Sequence, residues 1–223
     1  MVKNINKIII ISIIVLVSVI FIQSYGARVY QLAGAGTAAT GTVGIQILPY
    51  SICQVDMDQY WNFISLCSNA SNKSISSILS GINYRYVMQW NRTSQEWSIY
   101  SPKAASNPFD KFTANNSYFI YLKDSNDTLL CTGDLLNDTN ISLTQYWNAP
   151  SWPYNFSTSI DNQSASVNTT FRYEMKWNTS AQEWNIYSPK AASNPFNSIF
   201  IGEGKIMYIS NATALLVYNT SKL

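Results

Sequence analysis

From residue 43 onward the apolar positions come in short runs, each closed by Asn, Ser, Asp, Gly or Pro, a rhythm that predicts strands rather than helices. Residues 61–66 (WNFISL) alternate weakly between polar flanks and predict a largely buried strand. Residues 84–90 (YRYVMQW) and 96–100 (EWSIY) predict two more, joined as a hairpin by the turn-rich Asn91-Arg92-Thr93-Ser94-Gln95. Pro102 and Pro108 offer no N–H to a ladder and bracket a loop, after which 118–122 resumes as a strand. The one helical segment is 74–79 (SISSIL). Residues 43–48 (VGIQIL) also read as a strand, either the first of the folded part or one donated to a neighbouring molecule.

The pattern then runs a second time. Tyr60-Trp61-Asn62 returns as Tyr146-Trp147-Asn148, and YRYVMQWNRTSQEW from Tyr84 returns as FRYEMKWNTSAQEW from Phe171. EWSIYSPKAASNPF at 96–109 reappears at 183–196 with one letter changed, and 117–121 (SYFIY) matches 205–209 (KIMYI). The units run from 49 to 135 and from 136 to 223. With about five strands in each, the expected fold is all-β: two tandem small β-sandwich or barrel-like domains after an N-terminal hydrophobic helix. Strand packing does not by itself require an identical SPKAASNPF loop, so that loop is expected to share a task in both units, docking each domain against its neighbour.

Residues 8–22 (IIIISIIVLVSVIFI) are apolar on every face and follow two lysines, Lys3 and Lys7. This segment, within 1–26, is expected to be a signal peptide or a signal anchor, since its length lies between the two classes. If it is uncleaved, the positive flank keeps the N-terminus cytoplasmic and sends the rest outside. Residues 27–48 then form a small-residue stalk, AGAGTAATGTVG at its centre, with the candidate donor strand at its end.

Composition agrees with an exported β protein. Of 223 residues 47% are hydrophobic and 14% aromatic, including 15 Tyr and 7 Trp, enough for packed cores. The formal net charge of +2 includes Lys3 and Lys7, so the exported part is neutral and lacks the basic stripe a nucleic acid would need. Acceptor sequons begin at Asn69, Asn72, Asn91, Asn115, Asn126, Asn137, Asn140, Asn155, Asn162, Asn168, Asn178, Asn211 and Asn219, all beyond the apolar run. Their density predicts N-linked glycans on an extracellular face or a secreted protein.

The chain has 3 Cys and no His. Cys67 follows the first strand of unit one and Cys131 ends its last, while the matching positions of unit two lack cysteine, so Cys67–Cys131 is the expected disulfide. Cys53 is then left over, buried or intermolecular. Without His or CxxC spacing no metal site is expected, and Asp56/Asp58 and Asp124/Asp127 read as turn formers rather than calcium ligands. Glu96 and Glu183 are the best carboxylate candidates, yet equivalent positions in successive domains are not expected to reach the roughly 5–10 Å that paired-carboxylate hydrolysis needs. No His is present to serve a Ser or Cys nucleophile. Trp97 and Trp184, paired across their hairpins with Trp90 and Trp177, are candidates either for stacking on sugars or for core packing.

The run Trp61-Asn62-Phe63-Ile64-Ser65-Leu66, then SISSILSGI, a Tyr-Val-x-x-Trp-Asn-x-x-Thr-x-x-x-Trp hairpin, a Tyr-x-Pro loop and the Tyr118-Phe119-Ile120 strand resembles the WNLISLP-type β repeats of archaeal and bacterial cell-surface proteins. The resemblance covers almost all of unit one. It implies an extracellular β architecture and brings no catalytic residues. The expectation is therefore a non-enzymatic, glycosylated surface or envelope structural protein without cofactor, held to the membrane by its N-terminal segment. Its expected partners are further copies of itself, as in a filament, or other surface proteins. A carbohydrate-binding surface module and a viral structural glycoprotein are the alternatives.

Overall fold

A computed structural model describes residues 50–134, 136 and 138–218. The expected membrane segment and stalk, the strand at 43–48, and the acceptors Asn137 and Asn219 lie outside the described residues. Strands take 52% and helices 7%, so the all-β expectation holds at the level of class, while the sheets stay open and the barrel-like alternative falls away. Among the described residues no helix is long and apolar enough to cross a membrane.

The first repeat contains β1 (Tyr50–Met57), β2 (Tyr60–Ser65), α1 (Ile75–Ile78), β3 (Tyr84–Asn91), β4 (Glu96–Tyr100), β5 (Ser117–Leu122) and β6 (Asp127–Asp134). The second contains β7 (Thr139–Asn148), β8 (Thr158–Ser159), α2 (Ile160–Ser164), a 3-10 turn (Ala165–Val167), β9 (Phe171–Asn178), β10 (Glu183–Tyr187), β11 (Ser198–Ile199) and β12 (Lys205–Tyr218). The sheets β2-β5-β3-β4 and β7-β12-β9-β10 have the same order and are antiparallel throughout. In the second repeat β12 runs unbroken through what β5 and β6 divide in the first, and β7 through what β1 and β2 divide. Both helices start on a serine: the Ser74 Oγ accepts from Ser77 N and the Ser159 Oγ from Asn162 N, the usual N-cap bond.

Because successive side chains of a strand face opposite ways, each four-stranded sheet has two working faces. In the first repeat Ile64, Val87, Tyr118, Ile120 and Leu122 face that repeat's own core, closed below by Ile75, Leu79 and Phe112. Trp61, Phe63, Met88, Trp90, Trp97 and Phe119 face the other way. They meet Trp147, Ala149, Met175, Trp177, Trp184 and Ile206 of the second repeat, so that six of the 7 Trp share one layer. The described residues from Ser51 onward accordingly form one compact unit.

The edge strand β2 and the segment that follows β7 are each bonded by the opposite repeat. Gly204 N donates to Phe63 O (2.9 Å) and Ser65 N to Gly202 O (2.8 Å), while Ser117 N donates to Ala149 O (2.8 Å) and Ser151 N to Asn115 O (3.1 Å). Cross-repeat pairing of this kind removes an exposed row of backbone donors and acceptors. Gly204 is needed for the approach: a Cβ there would stand 2.8 Å from Ile64 N and from Phe63 C.

The disulfide differs from expectation. Cys53 is bonded to Cys67, and Cys131 is free and buried, which corrects the Cys67–Cys131 pairing. The reason is β1, which the repeat pattern left unassigned. Paired with β6, it brings Cys53 to within 5.3 Å of Cys67 between Cα atoms. The Cys131 Sγ instead accepts from Ser68 Oγ at 3.2 Å, and burial pushes its thiol up, away from the reactive thiolate.

Candidate functional site: the layer between the repeats

The repeated letters converge on the junction. Tyr60 and Tyr146, at the head of the two YWN motifs, both take left-handed backbone, with φ 77° and 73°. That conformation costs a non-glycine residue roughly 1–3 kcal/mol and persists only where its surroundings over-determine it. The buried Asn two positions on supplies the constraint. Asn62 Nδ2 donates to the carbonyls of Asp58 (2.7 Å) and Tyr60 (3.1 Å), and its Oδ1 accepts from Asp58 N (2.8 Å). Asn148 repeats this with Thr144 O (2.8 Å), Tyr146 O (3.1 Å) and Thr144 N (2.9 Å). The N–H and C=O of Trp61 and Trp147 are thereby left to the opposite repeat.

The hairpin tips take them up. Gln182, φ 55°, donates Nε2 to Trp61 O (3.0 Å) and accepts Trp61 N–H on Oε1 (3.0 Å), and Trp177 Nε1 donates to the same carbonyl (2.9 Å). Gln95, φ 58°, and Trp90 do likewise to Trp147, at 2.9 Å, 3.0 Å and 2.9 Å. The exchange is reciprocal, residue for residue, as at the interface of a twofold homodimer.

Both candidate sugar-stacking residues sit in this layer, half-buried. Trp97 lies 5.1 Å from Trp90 and 5.3 Å from Phe119 between ring centroids. Trp184 lies 5.2 Å from Trp177 and 5.5 Å from Phe63. Edge-on packing of this sort occupies ring surface that a sugar would need. Glu96 and Glu183 are exposed at the first residue of β4 and of β10. Beyond the Trp layer each sheet continues as a tyrosine trio, Tyr60/Tyr86/Tyr121 and Tyr146/Tyr173/Tyr208, with neighbouring centroids 6.0–6.2 Å apart. Tyr60 is 47% exposed, Tyr146 49% and Tyr173 45%, so aromatic surface does face solvent there.

The repeated loop has a local explanation. Ser101 N donates to Asn107 Oδ1 (2.8 Å) and Asn107 Nδ2 to Ser101 O (3.1 Å); Ser188 and Asn194 repeat both bonds at the same distances. The loop closes on itself, and the side-chain hydrogen bonds to Trp61 and Trp147 come from the hairpins. Among the described acceptors, Asn72, Asn91, Asn115, Asn126, Asn140, Asn155, Asn162, Asn168 and Asn211 are exposed, and Asn69 and Asn178 are half-buried. Asp56 accepts from Thr128 Oγ1 (2.9 Å) and Asp124 from Asn83 Nδ2 (2.6 Å), and among the described residues no three His, Cys, Asp or Glu side chains gather.

One cluster was not anticipated. Gln163, Glu174 and Lys205 are all fully buried in the core of the second repeat. Gln163 Nε2 donates to both Glu174 oxygens (2.8 and 2.6 Å), and Lys205 Nζ is in direct contact with Gln163 Oε1. Burial pushes the Glu174 carboxyl up, against the pull of the nearby Lys205 charge, and pushes the Lys205 ammonium down to about 8. Lys176, beside them on β9, forms an ion pair with Glu203 at 2.5 Å. The sequence carried part of the signal: Glu174 breaks into a strand whose repeat-one counterpart reads Val87, whereas the match of 205–209 with 117–121 sets Lys205 against Ser117, and the strand register moves it by one to Tyr118.

The chain matches no family model, and no curated protein or solved structure matches it.

Proposed function

We propose that the chain is a non-enzymatic, glycosylated structural protein of a cell surface or envelope. Residues 1–26 serve as signal or anchor, 27–48 as stalk, and the two repeats as tandem sandwich-like domains locked into one head. The carrying observation is that the duplicated Gln side chains and Trp90 and Trp177 hold the repeats together, while the duplicated Asn62 and Asn148 set the turns that present Trp61 and Trp147 to them, which accounts for the duplication without a substrate. The exposure of nine acceptor asparagines supports the glycoprotein part of the reading. Electron microscopy of protein from its natural source tests the filament form: filaments that vanish when residues 27–48 are deleted support it, and single particles with and without the deletion overturn it. Intact mass before and after enzymatic N-deglycosylation tests the glycan part, and an unchanged mass sinks it.

Carbohydrate binding is the second reading, favoured by the tyrosine trios, of which Tyr60, Tyr146 and Tyr173 are exposed, rather than by Trp97 and Trp184. Flat aromatic surface stacks on the apolar faces of sugars. A glycan array on which wild type binds and Tyr86→Ala or Tyr173→Ala does not would support it, and an array without a hit would remove it.

A further inference from the structure

Gln163, Glu174 and Lys205 occupy positions that the first repeat fills with Ile, Val and Tyr side chains. Counting from the N-caps Ser74 and Ser159, Gln163 takes the place of Ile78, and the strand register puts Glu174 at Val87 and Lys205 at Tyr118. The first repeat forms its core without any of the three polar groups. Replacing buried ionic groups by well-packed apolar ones is often neutral or stabilising, so stability alone does not ask for this trio. Its geometry asks for chemistry.

We propose that Lys205 and Gln163 become joined by an intramolecular isopeptide bond, Lys205 Nζ to Gln163 Cδ, with Glu174 transferring the proton and ammonia leaving. The nucleophile already touches the carboxamide it would attack. Both Glu174 oxygens lie 2.8 and 2.6 Å from Nε2, the atom that must be protonated to depart. The surroundings are aromatic: Nζ stands 5.8 Å from the Trp152 ring centroid and 5.1 Å from that of Tyr218. Burial shifts the pair toward the neutral amine and acid, the reactive form, pushing Lys205 down to about 8 and Glu174 up.

The step balances without a further reagent. Glu174 takes one proton from the Lys205 ammonium, and the freed lone pair on Nζ attacks Cδ to form the new C–N bond. The carboxylic acid protonates Nε2 and receives the second Nζ proton in return; the Cδ–Nε2 bond breaks, and Nε2 leaves as ammonia. Nζ keeps one hydrogen as the new amide N–H. Ammonia accepts the proton left on Glu174 and departs as ammonium, which restores the carboxylate. The product ties α2 to the first residue of β12 across the core.

The test uses the full chain made in a host that adds no N-glycans. Intact mass should fall about 17 Da below the value for the unlinked polypeptide with its disulfide, the loss of one ammonia. A tryptic digest should contain a branched peptide joining the segments that hold residues 163 and 205, with no cleavage after Lys205. Recovery of both segments unlinked, with cleavage after Lys205, overturns the proposal whatever any variant does. Glu174→Gln keeps the size of the side chain and removes the proton carrier; with its fold verified by circular dichroism, it should stay unlinked. A linked Glu174→Gln protein would overturn the role given to Glu174.

Discussion

Gln95 and Gln182 each spend one side chain on satisfying a Trp backbone N–H and C=O across the junction. Truncation leaves the N–H without its partner, while the C=O keeps the indole Nε1 of Trp177 or Trp90; an unsatisfied buried polar group costs roughly 1–3 kcal/mol. Gln182→Ala and Gln95→Ala should therefore each lower stability by about that amount, read as a shift of the urea midpoint. A glutamate in either place keeps the acceptor and loses the donor, and is expected to fall between alanine and wild type. Tyrosines set the alkaline limit. Tyr84 is pushed up to about 12 by burial, with Tyr100 adding to it, and Tyr187 to about 12 by burial, with Asp161 adding to it. Burial also raises Tyr118 and Tyr218. Groups raised in the folded state contribute stability that is full below the unfolded tyrosine value near 10 and is lost as pH climbs through their folded values. The melting temperature should fall between about pH 10 and pH 12, and tyrosinate absorbance should rise in two stages, the later one coinciding with unfolding. A single smooth titration with a constant melting temperature would contradict this.

At the scale of elements, the hairpins β3–β4 and β9–β10 and the loops that follow them have separate duties. The loop is closed locally by Asn107 or Asn194. Asn107→Ala should cost about 1 kcal/mol and leave the near-ultraviolet circular dichroism of the Trp layer unchanged; a changed Trp spectrum would return the docking role to the loop. Most of the strands were legible in the sequence, because alternation and proline placement are local signals. The partners of those strands were not. Cys53 was left over because β1 has no separate counterpart in the second repeat, where β7 runs straight through, so the repeat pattern could not show it as a strand. The Trp pairs were read correctly as cross-strand neighbours, but which repeat their faces met depends on two sheets being stacked, which no run of letters expresses. Glu174 and Lys205 stood in plain view as charges at inward positions, and only the register reveals that those positions are inward.

At the scale of the molecule, the shared layer is symmetric in its hydrogen bonds and asymmetric in its volumes. The first repeat contributes Phe63 and Phe119 where the second contributes Ala149 and Ile206, and the two phenylalanines pack across the junction on Trp177 and Trp184, so the layer is filled by more volume from one repeat than from the other. Ala149→Phe should crowd this contact and destabilise by about 1–3 kcal/mol, measured by chemical denaturation, with crowding relieved when Phe63→Leu is added. An additive double variant would show that the two positions do not share space.

The same inequality has a consequence for how chains meet. Either repeat offers the same hydrogen-bonding groups, yet two copies of the first repeat would bring four phenylalanines together where two fit beside Ala149 and Ile206. Pairing between a first and a second repeat is the combination whose volumes match, within one chain or between two. Four residues, 135–138, separate β6 from β7. Were a chain to open at that connector, its first repeat would accept the second repeat of a neighbour, whose own first repeat would then stand vacant for the next. Such an exchange would close at two chains if each took the second repeat of the other, and would run on as a row only if each took it from a further chain, so the same contacts that make one head compact would serve a swapped pair or a row of heads alike.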